Sequence, residues 1–202
     1  MQVSMLAPLA VSNNMSTRSE LAQSRNALAF SINQSVIQHL CARGFSEMPR
    51  RKDTGAMWHL HRRRSDGGYD AISIIFDKKR RPLFDAVINI IAPHGIVLPS
   101  GETLAAEKAT AVSALARVRV TKRYRRSQSL AAILRWLGYD WFGFQPRKDH
   151  TLNKRAAEGA CEDFLGCLQQ AYRWWETGEL GPNLKQENLI IDHSEIPRTP
   201  KR

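Results

Sequence analysis

Three successive runs of alternating strand formers between Met57 and Ala92 limit what this chain can fold into more than any other feature. Trp58 and Leu60 alternate with His59 and His61. Ile72, Ile74 and Phe76 alternate with Ser73, Ile75 and Asp77, and the run from Leu83 to Ile91 puts Phe84, Ala86, Ile88 and Ile90 on one face. Side chains along a strand point to opposite faces in turn, so this spacing predicts strands rather than a helix. Ser65-Asp66-Gly67-Gly68 joins the first two runs, with glycines to supply the positive φ of a tight hairpin. Lys78-Lys79-Arg80-Arg81-Pro82 joins the second and third, with proline at a strand start. The predicted core is an α+β fold: an antiparallel β-meander of three to four strands, its apolar face covered by helices packed on that one face.

The covering helices are legible on either side. Thr17-Arg18-Ser19-Glu20 matches a capping box, Leu21, Leu28, Ile32, Val36 and Leu40 recur near helical spacing, and Gly44 supplies a left-handed stop. A last long helix carries Ala157, Cys161, Phe164, Leu165, Leu168, Tyr172 and Trp175 on one stripe and stops at Gly178. The alanine-rich stretch Ala105 to Ala116 has the composition of a helix. Val118, Val120 and Tyr124 alternate with Arg119 and Thr121, which fits a fourth strand with arginines on its wet face; a continuing helix competes with it. Ser127 opens a further helix through Leu130, Ile133, Leu134 and Leu137, and the aromatic loop Tyr139 to Pro146 reads as a lid on the core. The expected organisation is a disordered N-terminal segment (1–16), one α+β domain (17–180) and an extended C-terminal tail (181–202).

Composition sets the setting. With 43% hydrophobic and 24% charged residues in 202, the chain reads as one soluble globular domain. It has no apolar run long enough for a membrane span, and Met1 to Ala10 lacks the pattern of a secretory signal, so a cytoplasmic protein is expected. Three cysteines without a C-x-x-C pair fit reduced, mostly buried thiols. Net charge is +11, and it is unevenly placed: residues 1–42 carry +1, residues 43–126 carry +10, and residues 127–202 carry none. A concentrated positive field favours an acidic partner, the plainer alternative being a solvated basic surface.

Topology brings some of these charges together. In an up-down-up meander the entry to the first strand lies at the same end as the turn between the second and third. Arg50, Arg51 and Lys52 are therefore expected beside Lys78, Lys79, Arg80 and Arg81, with Arg62, Arg63 and Arg64 about 25 Å away at roughly 3.3 Å per residue. A second basic segment runs Arg117, Arg119, Lys122, Arg123, Arg125 and Arg126 around Tyr124, placing phosphate-neutralising cations next to a ring able to stack on a base.

Catalytic motifs are missing: the phosphate loop, the dinucleotide fingerprint, the nucleophile elbow and H-E-x-x-H do not occur. His59 and His61 share a strand face and could hold a metal, but a third ligand such as His94 or Asp70 would be required. No cofactor is expected.

A capped N-terminal helix ending in Gly44-Phe45, a strand entered past basic residues and carrying Trp58 with Arg62, a long central hairpin and a final helix ending in Trp174-Trp175 together resemble the bacterial family catalogued as domain of unknown function 4304. The likeness covers about residues 17 to 178. It implies an α+β domain with no established activity or catalytic residues to carry over. The leading expectation is thus a non-catalytic intracellular protein that binds an anionic macromolecule, nucleic acid first, through Arg50 to Lys52, Lys78 to Arg81 and Arg117 to Arg126. Its rivals are a module that neutralises an acidic partner protein and a metal-dependent hydrolase using His59 and His61.

Overall fold

The computed structural model describes residues 18–49, 56–98, 100–113, 116–122 and 141–188. In chain order these form α1 (Arg18–Ser31), a π-helical stretch Ile32–Ile37, α2 (Gln38–Ala42), β1 (Ser46–Glu47), β2 (Ala56–Arg63), β3 (Tyr69–Phe76) and β4 (Leu83–Ile91). There follow β5 (Ile96–Val97), β6 (Thr103–Leu104), β7 (Ala116–Val120), β8 (Phe142–Gly143), α3 (His150–Thr177) and β9 (Leu184–Asn188). The three alternating runs are β2, β3 and β4, paired antiparallel, with Ile72 opposite both Leu60 and Ile88. The sheet is wider than the meander, ordered β1-β2-β3-β4-β7-β9, with β8 added alongside β4. Helices and an antiparallel sheet make an α+β fold.

One face of the sheet carries Leu60, Ile72, Ile74, Phe76, Phe84, Ala86, Ile88, Val118 and Val120 into a core with Leu28, Ile32, Val36, Leu40, Phe164, Leu168 and Trp175. Each valine, leucine, isoleucine and phenylalanine among them contributes about 1.5–3 kcal/mol by leaving water. The first helix reaches that core through its π-helical stretch. There residues four and five apart share a face, and Ile32, Val36 and Ile37 are all buried. Ser35 Oγ donates to the Ser31 carbonyl at 2.7 Å, giving that carbonyl a partner where the winding changes. Asp149 caps α3 by accepting from the amides of Thr151 and Leu152, and Gly178 at φ 74° ends it.

The two hairpin glycines act by different means. Gly67 has φ 85°, as a tight turn requires, whereas Gly68 is needed for room, because a Cβ there would stand 2.4 Å from the Ile91 carbonyl oxygen. Phe142 is fully buried and packs on Phe84 and Phe164 with centroids 5.4 and 5.0 Å away, so the described part of the aromatic loop seals the core as expected.

Three expectations give way. Residues 105–113 form successive turns, not a helix: Ala106, Ala109 and Ala111 are buried against Ala71, Val87 and Ile91 on the sheet's other face. Burying small side chains there outweighs a propensity of a few tenths of a kcal/mol per residue. Both faces are therefore covered. The expected C-terminal tail supplies β9, which pairs with β7 from Ala116↔Asn188 to Val120↔Leu184. Cys41 is exposed, while Cys161 lies in the core, where burial pushes its thiol up to about 11. The helix expected from Ser127 falls outside the described residues, as does Thr17 of the capping box.

Candidate functional site

The turn between β3 and β4 is built around Asp77. Its amide donates to the Leu83 carbonyl at 3.0 Å, its carbonyl accepts from the Arg80 amide at 3.1 Å, and its carboxylate accepts from Arg81 Nε at 2.8 Å and Nη2 at 3.1 Å. The Arg81 fork holds the Asp77 carboxyl below the usual carboxylate range, although burial opposes it. Arg80 has φ 62°, a left-handed conformation that costs a residue with a Cβ about 1–2 kcal/mol. Arg80→Gly is accordingly expected to raise the unfolding free energy by about 0.5–1 kcal/mol in urea denaturation. A loss of stability would show instead that the Arg80 side chain holds the turn.

With Asp77 and Arg81 tied to each other, Lys78, Lys79 and Arg80 stand exposed. Across from them is α1. Arg18, Leu21, Ala22 and Arg25 follow the i, i+3, i+4, i+7 spacing of one helix face, and together with Asn26 they form the far wall of a groove of about 640 Å³ whose near wall is Lys79 and Arg80. Arg25 is steered by the ring of Phe76, 5.1 Å from guanidinium carbon to centroid. None of the four lining cations forms an ion pair among the described residues. Glu20, the acid of the first helical turn, is not among the lining residues.

Elsewhere several described cations on or beside the sheet are engaged internally, whereas Arg63 and Lys185 are exposed. Arg119 meets Asp85 at 3.1 Å and Glu187 at 3.2 Å, and Arg117 meets Glu187 at 3.5 Å. The arginines of β7 therefore do not line a wet face; they share the sheet's second face with two acids, because Arg119 lies diagonally across from Asp85 and Arg117 directly opposite Glu187. Burial pushes the Asp85 carboxyl up to about 7 in spite of Arg119. Lys122 pairs with Asp163 at 2.6 Å. Arg62 donates to Asp70 through Nε and Nη2 and lies over Phe45, Tyr172 and Trp175, while Arg64 donates to Asp70 and to the Trp175 carbonyl. These cations hold the fold together.

The register agrees with the topology expected of the basic end. Ala56 pairs with Ile75 beside the β3–β4 turn, and Arg63 pairs with Tyr69 at the other end. Arg50, Arg51 and Lys52 themselves, and Arg123, Tyr124, Arg125 and Arg126, lie outside the described residues. Arg18 and Arg25 were not anticipated as site residues. The signal for them was present in their helical spacing, but only the packing of α1 on the sheet brings them to a turn some sixty residues further along.

The strand histidines are packed within the fold. His59 Nδ1 is 2.8 Å from Ser73 Oγ, and His61 lies beside the Tyr69 ring at 5.1 Å with its pKa lowered, chiefly by burial. No cluster of three or more candidate ligands occurs among the described residues. No helix among them is long and apolar enough to cross a membrane. No family model, curated protein or solved structure matches the chain, and the groove has only its own chemistry to speak for it.

Proposed function

We propose that this protein binds an anionic macromolecule, nucleic acid, along the groove between α1 and the β3–β4 turn, acting by association and not by catalysis. One observation carries the reading: Arg18, Arg25, Lys79 and Arg80 converge on a single groove without a carboxylate partner among the described residues, while Arg62, Arg64, Arg81, Arg117, Arg119 and Lys122 are paired. Unpaired cations crowded together repel one another and are stabilised by a polyanion that releases its counterions on binding. The exposed Lys78 extends the field at the groove's rim. A cytoplasmic setting, where nucleic acid is abundant, belongs to the same proposal.

Fluorescence anisotropy of labelled oligonucleotides across a salt series tests it. Wild type is expected to bind at low salt, with log K falling linearly against log salt. The double variant Lys79→Ala/Arg80→Gly is expected to flatten that slope by about 1.4 on single strands or about 1.8 on duplex, since each phosphate contact contributes roughly 0.7 or 0.9. Glycine at position 80 keeps the turn, so a folding defect does not mimic the loss. No association at low salt, or a double variant indistinguishable from wild type, would overturn the proposal. Retention of a stoichiometric acidic protein in place of nucleic acid would do the same.

A further inference from the structure

Phe30 is 61% exposed, the largest exposure among the bulky apolar side chains described. A single exposed apolar residue is ordinary on a protein surface. What sets Phe30 apart is its place. It follows Asn26 by four residues on α1, so the ring stands one helical turn, about 6 Å, beyond that last groove-lining residue and about 40° round the helix from it, on the flank away from Leu21 and Arg25. Core-facing residues of that helix, Ser24, Leu28 and Ser31, lie on another face. Along the four-residue steps Arg18, Ala22, Asn26 and Phe30 the helix thus presents, over about 18 Å, a cation, a small side chain, an amide that can both donate and accept, and then an exposed ring.

Resting on the function proposed above, we infer that the ligand is single-stranded nucleic acid and that Phe30 stacks on a base as the strand leaves the groove at Asn26. Lysine and arginine along a track neutralise phosphates whatever the sequence, and an aromatic ring beside the track adds a contact to a base face. A ring can stack only on a base that is not already sandwiched inside a duplex. The combination therefore selects unpaired strands, where cations alone would not discriminate.

Three labelled probes separate the contributions: oligo(dT), an abasic oligomer with the same number of phosphates, and a duplex. Wild type is expected to bind oligo(dT) roughly five- to a hundredfold more tightly than the abasic strand, the range given by base stacking on one ring. Phe30→Ala should remove that difference, leave abasic binding unchanged and keep the salt slope, because no phosphate contact is lost. Phe30→Trp should retain the preference. Equal affinity of wild type for oligo(dT) and the abasic strand, tighter binding of the duplex, or a Phe30→Ala variant that binds oligo(dT) like wild type would each overturn this inference while leaving nucleic-acid binding at the groove intact. Failure to bind any of the three at low salt would overturn both.

Discussion

Replacing Trp175 by alanine is expected to lower the unfolding free energy by about 3–5 kcal/mol, the cost of emptying a large aromatic site in a core that cannot collapse around it. The indole is 3% exposed, its Nε1 donates to the Asn89 carbonyl at 3.0 Å, and its ring lies 5.2 Å from Phe45 and 5.7 Å from Tyr172. Above it sits the Arg62 guanidinium at 5.8 Å, itself held by Asp70. One side chain therefore joins the last turns of α3 to β4 and to the arginine of β2. Trp175→Phe keeps most of the apolar contact and gives up the hydrogen bond, so its cost should be nearer 1–2 kcal/mol. Urea denaturation followed by circular dichroism reads both variants. A loss below 1 kcal/mol for Trp175→Ala would mean that the helix end is not anchored there.

The second large effect depends on pH. Asp85 has an ordinary carboxyl value of 3.8 when exposed and about 7 in the fold, because burial outweighs the attraction of Arg119 and because Glu187 adds repulsion. Between those values the unfolded chain has released the proton while the folded protein keeps it. Stability from this group is therefore full below about pH 4 and declines as pH rises to about 7. At roughly 1.36 kcal/mol per unit the fall amounts to at most about 4 kcal/mol. Asp66 and Asp77, whose carboxyls are lowered, act in the opposite direction at lower pH, as does the lowered His61 below its ordinary 6.5. The comparison must accordingly be with Asp85→Asn, which retains those groups and can still accept from the Ala86 amide. Wild type should lose stability relative to that variant across pH 4 to 7. A difference that does not change with pH, or that grows in favour of wild type, would show Asp85 to be ionised against Arg119 throughout.

Sequence and structure agree where the causes are local. Alternation over β2, β3 and β4 is a property of neighbouring residues, as are the stop at Gly44 and the stop at Gly178. They disagree where a distant surface decides. Ala105 to Ser113 has helical composition, yet it lies as turns on the sheet because three of its alanines fit against Ala71, Val87 and Ile91. Leu184 to Asn188 shows little strand character by itself and becomes β9 because β7 offers a free edge and Arg117 and Arg119 offer partners for Glu187.

The same division runs through the candidate site. From the residues alone came the strands, the turn that carries Lys78 to Arg81, and the excess of positive charge in the middle of the chain, because periodicity, turn chemistry and charge are written in short stretches. Which cations remain available for a ligand was decided only by the tertiary structure. An ion pair needs its partners within about 4 Å, and only packing sets such distances between residues far apart in the chain. Folding turned Arg119 and Lys122 toward acids and carried Arg18 and Arg25 to Lys79 and Arg80. A basic segment thereby became a groove.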